Sequence, residues 1–285
     1  MKFGVTLGAL HPALHRELTL RADRLGFESV WMPEHLIFPA EMSGSPHPGA
    51  DTPPVPPTTP VFDAFGWLCW LAGQTRRIGL GTNVYLLALR HPFAAARAVQ
   101  TLDIVSGGRA KLGIGAGWLR EEWRSVGLDP ATRGRRLDEA LAVCKRLWTE
   151  PVVEHHGTFF DFGPVVFEPK PVQKPWPPIC AGGESEAALR RAAGQCEGWM
   201  GLHHSLESAE PRIRRLHELR AEFGREDLPF EISLGGRVRE PEDVVRWAEL
   251  GVDRLMVAPW RRSREALAGL ERFAERFSEW LEPIP

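Results

Sequence analysis

The sequence predicts an α/β fold, a (β/α)8 barrel of the TIM type with insertion segments over the C-terminal ends of its strands. Three observations carry this expectation. Short apolar runs of strand length alternate with segments of helical periodicity about eight times along the chain, and such alternation builds a parallel sheet. The chain has 285 residues, close to the roughly 250 that a closed eight-stranded barrel needs. No tandem repeat and no linker interrupts it, so residues 1–285 are expected to form a single domain.

Phe3 to Gly8 opens as a buried strand, and Leu14, Leu18, Ala22 and Leu25 mark one face of a helix stopped by Gly26. Ser29 to Met32 is the second strand and leads into Pro33-Glu34-His35. Phe38 to Pro60 is a long loop rich in Pro, Gly, Ser and Thr. Loops of that length inside a compact domain are uncommon and usually functional, as lids are. Val61 to Thr75 is an apolar helix, and Ile78 to Val84 a glycine-punctuated strand. Pro92 opens a helix in which Phe93, Ala96, Val99 and Leu102 recur at helical spacing, and Ser106-Gly107-Gly108 ends it. Ala110 to Ala116 is the next strand, with Gly113, Gly115 and Gly117 around its end.

Trp118 to Val126 reads as a short helix or ordered loop, and Arg133 to Trp148 as an amphipathic helix. Val152 to Pro171 alternates and carries turn residues, the pattern of an extended or hairpin insertion. Strand then alternates with helix to the end. Pro178 to Ala181 precedes Ala187 to Ala193, and Gly198 to Gly201 precedes Pro211 to Phe223. Phe230 to Leu234 precedes Pro241 to Leu250, and Arg254 to Ala258 precedes a closing helix from Arg264 to Leu281.

Charge is nearly balanced, with 35 basic against 37 acidic residues and a formal net charge of -2. That balance suits neither nucleic acid nor an acidic membrane surface, so neither is an expected partner. The cysteines Cys69, Cys144, Cys180 and Cys196 form no CxxC pair, which points away from a zinc site or a disulfide framework. The N-terminal apolar run is too short for a signal peptide, and no stretch has the ~20 apolar residues of a membrane span. The expected location is the cytoplasm.

His35 follows a strand at the end where barrel active sites sit, and a histidine there can act as general acid or base. The competing reading is a histidine satisfied by neighbouring carbonyls. Glu34 can bind a polar ring edge or simply be solvated. The glycines of Gly113-Ile114-Gly115-Ala116-Gly117 allow close backbone approach to a ligand, or only a tight bend. Ala181-Gly182-Gly183-Glu184-Ser185 joins a strand to a helix, whose free N–H groups can hold a phosphate. Glu184 is an unhelpful charge there unless it points away. His155-His156 and His203-His204 are poor chelators, because neighbours on a strand face opposite ways, and no metal is expected. Glu121-Glu122 and Arg133 to Arg136 read as solvated helix charges. Trp31, Trp118 and Trp199 fall near strand ends, where an aromatic can flank a flat ring.

Taken together, Leu89 to Trp123, Arg133 to Pro151 and Gly157 to Ala193 resemble the bacterial luciferase-like superfamily of flavin and deazaflavin oxidoreductases. The branch most resembled is the one assigned to coenzyme F420, an 8-hydroxy-5-deazaflavin. The resemblance implies a barrel enzyme that transfers hydride between the deazaflavin and a small organic substrate, working as a homodimer. FMN is the alternative cofactor, in an FMN-dependent monooxygenase. A non-catalytic flavin-binding protein is a third reading. The resemblance also implies a non-prolyl cis peptide behind the ring after the third strand, for which Asn83–Val84 is the candidate. It puts Glu34 near the ring, His35 at the reacting position, Gly115, Ala116 and Gly117 along the ring or its ribityl chain, and Gly182 and Gly183 in the phosphate loop. Sugar-phosphate members carry an acidic residue where this chain has Trp118, so a flatter or more apolar substrate is expected.

Overall fold

The computed structural model describes residues 1–8, 10–47 and 49–283. The first half of the chain lays down β1 (Lys2–Thr6), α1 (His15–Leu25), β2 (Ser29–Met32), α2 (Ala64–Ala72), β3 (Gly79–Thr82), α3 (Pro92–Val105) and β4 (Ala110–Ile114). Then come α4 (Arg120–Ser125), α5 (Arg133–Thr149) and the strands β5 (Val153–His156) and β6 (Asp161–Val165). The last part is β7 (Ile179–Gly182), α6 (Glu186–Gln195), β8 (Gly198–His204), α7 (Leu206–Glu222), β9 (Glu231–Gly236), α8 (Pro241–Glu249), β10 (Arg254–Val257) and α9 (Ala266–Arg276).

Eight strands close into a parallel barrel in the order β1-β10-β9-β8-β7-β4-β3-β2, as an α/β barrel requires. Register runs apolar to apolar around the ring: Val5 pairs with Val30, Val30 with Leu80, and Leu80 with Ala110. The strands are short and apolar because both faces are covered. One face packs on the helices. The other encloses Trp31, Cys180 and Met200, with Val84 and Met256 against them. No helix among the described residues is long and apolar enough to cross a membrane.

Local chemistry sets the helix ends. Gly26 ends α1 in the left-handed region at φ 92°, and a Cβ there would meet the Glu282 backbone at 2.5 Å. Pro92 opens α3 with His91 as its cap. The expected hairpin is β5–β6, an antiparallel pair. Its connection is pinned by Glu139 of α5, which accepts N–H bonds from Phe159 and Phe160 at 3.0 and 2.9 Å. The 38–60 segment contains no helix or strand among its described residues, and Pro48 lies outside them.

Some elements differ from expectation. Helix α7 starts at Leu206 rather than Pro211, because Ser205 and Ser208 form a capping box ahead of the proline. Pro211 falls inside the helix and forgoes one intrahelical bond. Strand β8 runs on past Gly201 to His204 through a register shift after Met200. Trp31 and Trp199 are fully buried in the core rather than lining the cleft at the strand ends. Trp31 donates from Nε1 to Ser29 Oγ at 2.7 Å inside the barrel, and Trp199 to the Gly183 carbonyl at 2.9 Å.

Candidate active site

A cleft of about 980 Å³ opens at the C-terminal ends of the strands, the functional end of an α/β barrel. Glu34, His35, Asn83, Val84, Gly115, Ala116, Gly117, Gly182 and Gly183 all line it. Four strands deliver them: β2, β3, β4 and β7 each end just before or within one of these groups.

The floor is built by one side chain held between two glycines. The Asn83–Val84 peptide is cis. Val84 sits so close that a Cβ on Gly115 would lie 2.4 Å from its Cγ2, and one on Gly182 would lie 2.7 Å from its Cγ1. Any larger residue at 115 or 182 would collide with Val84. Gly117, at φ 77°, occupies the left-handed region that disfavours a side chain. The buried indole N–H of Trp123 has no partner among the described residues and lies 3.2 Å from where a Cβ on Gly117 would stand.

Glu34 is 4% exposed, and both carboxylate oxygens are engaged inside the protein. Oε2 accepts the Leu86 N–H at 2.8 Å, and Oε1 pairs with Arg90. Burial pushes the Glu34 carboxyl above its ordinary range, against the pull of Arg90 and the Leu86 N–H. The pair ties the end of β2 to the segment after β3, which carries Asn83 and Val84.

His35 lies on the wall with its Nδ1 2.8 Å from Oε2 of Glu122 on α4. The other Glu122 oxygen accepts the Leu36 N–H at 2.6 Å. Phe38 and Trp118 pack on the His35 ring, with centroids at 4.5 and 5.9 Å and Trp118 edge-on. Trp118 is thus the one of the three strand-end tryptophans that lines the cleft.

At the far end the start of α6 faces the cleft. Ser185 caps it by accepting the Ala188 N–H at 3.3 Å, and the first N–H groups of the helix have no partner within it. Glu184 turns away, accepting bonds from His204 Nε2 at 3.1 Å and the Leu202 N–H at 2.8 Å. Arg212 Nε approaches its Oε2 to 2.5 Å as an ion pair without hydrogen-bond alignment. Burial favours the neutral acid, but His204, the Leu202 N–H and Arg212 outweigh it and hold the Glu184 carboxyl below its ordinary range.

Sequence reasoning missed two groups. Glu122, expected as a solvated charge, is fully buried. Its signal was Leu119, buried and three residues before it on the same helical face. Arg90 carried no local signal, since its partner lies far away in sequence. His203 is exposed and His204 buried against Glu184, in keeping with alternation along a strand.

The luciferase-like monooxygenase family matches residues 1–279. The uncharacterized protein Rv0953c of Mycobacterium tuberculosis is 31% identical over 260 residues, 90% of this chain and 91% of its own. An F420-dependent glucose-6-phosphate dehydrogenase of Kineococcus radiotolerans is 31% identical over 78% of this chain and 64% of its own. An FMNH(2)-dependent dimethylsulfone monooxygenase of Pseudomonas putida is 36% identical over 43% of this chain and 34% of its own. Among solved structures, an F420-dependent secondary alcohol dehydrogenase with an F420-acetone adduct superimposes with a TM-score of 0.78 at 17% identity, covering 99% of both chains. The chain belongs to the luciferase-like monooxygenase family.

Proposed function

We propose that this chain is a coenzyme F420-dependent oxidoreductase that transfers a hydride between the deazaflavin and a small organic substrate. The observation that carries the cofactor choice is the extent of likeness. The F420-dependent relative matches over 78% of the chain and the FMNH(2)-dependent one over 43%. The cleft fits a flat ring bearing a phosphorylated chain. A Cβ at Gly115 or Gly182 would fill the floor, and unpaired N–H groups at the start of α6 suit a phosphate.

When bound, the deazaflavin supplies the hydride chemistry at its ring carbon. In this reading Val84, with Asn83, backs the ring from behind. Gly115, Ala116 and Gly117 run along its edge, and Gly182 and Gly183 let the phosphate reach the helix start. Glu34 acts through Arg90 and Leu86, holding the Asn83–Val84 segment against the ring. His35 gives or takes the proton that accompanies the hydride, from a wall where Phe38 and Trp118 pack on its ring. Trp118 makes that wall apolar, which favours a flat, uncharged substrate over a sugar phosphate. Ser45, Pro46, His47, Gly49 and Ala50 line the cleft from the long loop after β2 and would limit water there.

Titrating the purified protein with F420 and with FMN tests the reading. F420 is expected to bind with a Kd of about 1 μM or tighter, and FMN at least about tenfold more weakly. Preferential FMN binding sinks it and favours the monooxygenase reading, for which the family name and the FMNH(2)-dependent relative speak.

A further inference from the structure

We propose that Glu122 is a positioning residue for His35, holding the imidazole with its proton on Nδ1 and its Nε2 lone pair toward the cleft. The inference rests on the reading of His35 as the proton donor or acceptor of the reaction.

The argument starts from what a carboxylate can do. Ionised, it only accepts. Glu122 is fully buried on α4, and its Oε1 accepts the Leu36 N–H at 2.6 Å, with the Ile37 N–H at 3.4 Å. Those backbone donors are permanent. The remaining oxygen, Oε2, faces His35 Nδ1 at 2.8 Å, so that nitrogen must bring the proton. In a neutral ring the lone pair then belongs to Nε2. The one hydrogen bond of the His35 ring among the described residues is through Nδ1, which leaves Nε2 without a protein partner there, and His35 lines the cleft.

Among the described residues His35 has one ion pair, the one with Glu122. Glu34, the neighbouring acid, is engaged by Leu86 and Arg90. Phe38 and Trp118 restrict rotation of the imidazole, so the bond sets direction as well as tautomer. The same carboxylate grips the backbone that leads into the 38–60 segment. Glu121 grips that segment again, accepting a bond from Ser43 Oγ at 2.8 Å. One turn of α4 thus fixes both the acid–base group and the root of the segment over it. A purely structural role would need only the backbone bonds, and would leave the ring free to carry its proton on either nitrogen.

Nitrogen NMR on 15N-histidine-labelled protein, without cofactor, separates the two roles. The His35 resonances are assigned by their loss in His35→Gln. In the wild type, Nε2 is expected to resonate as the unprotonated nitrogen of the neutral ring. In Glu122→Gln, whose amide can donate or accept, the Nε2–H form is expected to gain by about tenfold or more, the scale of one charge-assisted hydrogen bond. A wild-type ring already protonated on Nε2 overturns the proposal without any variant. So does a tautomer ratio unchanged in Glu122→Gln. Because the spectra are recorded without cofactor, they hold whichever ring the cleft accepts, and a failed F420 titration leaves them standing.

Discussion

At the N-terminal end of the barrel, Arg254 is fully buried between two glutamates. At the C-terminal end, Glu34 and Glu122 are as deeply buried. The lower network is closed on itself. Arg254 donates to Glu28 at 2.8 and 2.9 Å, to Glu231 at 3.1 Å and to Ser233 Oγ at 2.9 Å. Lys111 completes Glu28 at 2.8 Å, and Lys2 completes Glu231 at 2.5 Å. Every carboxylate there meets cations, and strand is joined to strand. At the upper end each acid instead holds something that borders the cleft: the segment after β3 by Glu34, a ring and a loop root by Glu122, and the edge of β8 by Glu184. Buried charge serves closure at one end and placement at the other. The two ends should therefore fail differently when a partner is removed.

The largest effect is expected at the closed end. Arg254→Met removes the side chain that, among the described residues, is hydrogen-bonded to both Glu28 and Glu231, and leaves two largely buried carboxylates facing each other. Breaking a buried pair in this way costs about 3–5 kcal/mol. Chemical denaturation of the variant should show a loss of that size. Cofactor affinity, measured where the variant is still folded, should stay within about twofold, since distant sites act independently. A large loss of affinity with little loss of stability would erase the contrast.

Acid sharpens the same contrast. Burial alone would raise the Glu28 carboxyl, but Arg254 and Lys111 outweigh it and bring it down to about 2 from an ordinary 4.5. A carboxylate whose folded pKa is depressed stabilises above its unfolded value and loses that contribution as pH falls toward the folded one. The window therefore runs from about 4.5 down to about 2, and the full contribution is on the order of 3 kcal/mol. The difference in unfolding free energy between wild type and Glu28→Gln should be constant above pH 5 and shrink through that window. A difference that does not change with pH would mean the network adds nothing through its charge.

Legibility in the sequence follows the same division. Elements defined by local pattern were readable: Ser29–Met32 has the bounds expected of it, the 152–171 stretch contains the hairpin, and every anticipated site residue reaches the cleft. Glycines at 115, 117 and 182 announce themselves because a missing side chain is a local fact. Partnerships between distant residues were not readable. Glu122 looked solvated because Arg120, Glu121 and Arg124 beside it are charged, while its bonds go to His35 and Leu36, far away in sequence. Arg254 looked like an ordinary strand residue, although Glu28 and Glu231 reach it only once the barrel closes. Pro211 misled because a proline usually marks a helix start, and the stronger signal, Ser205 with Ser208, lay just before it.

The smallest effect is expected where the upper end meets an anion. Glu184 stands beside the start of α6, and its charge opposes a phosphate there unless it is offset. His204 and the Leu202 N–H satisfy one oxygen by hydrogen bonds, whereas Arg212 reaches the other without alignment, so its contribution is charge. Arg212→Ala should therefore leave stability nearly unchanged and weaken cofactor binding by about fivefold, roughly 1 kcal/mol. Arg212→Lys, which keeps the charge and discards the guanidinium geometry, should recover most of that loss. The deficit should shrink in high salt, where interactions between partly exposed charges are screened. The matched substitution at the lower end is Lys2→Ala, on an exposed partner of Glu231, and it should leave binding untouched. If Arg212→Ala binds as well as wild type at low salt, His204 alone offsets Glu184, and the upper end is as self-contained as the lower.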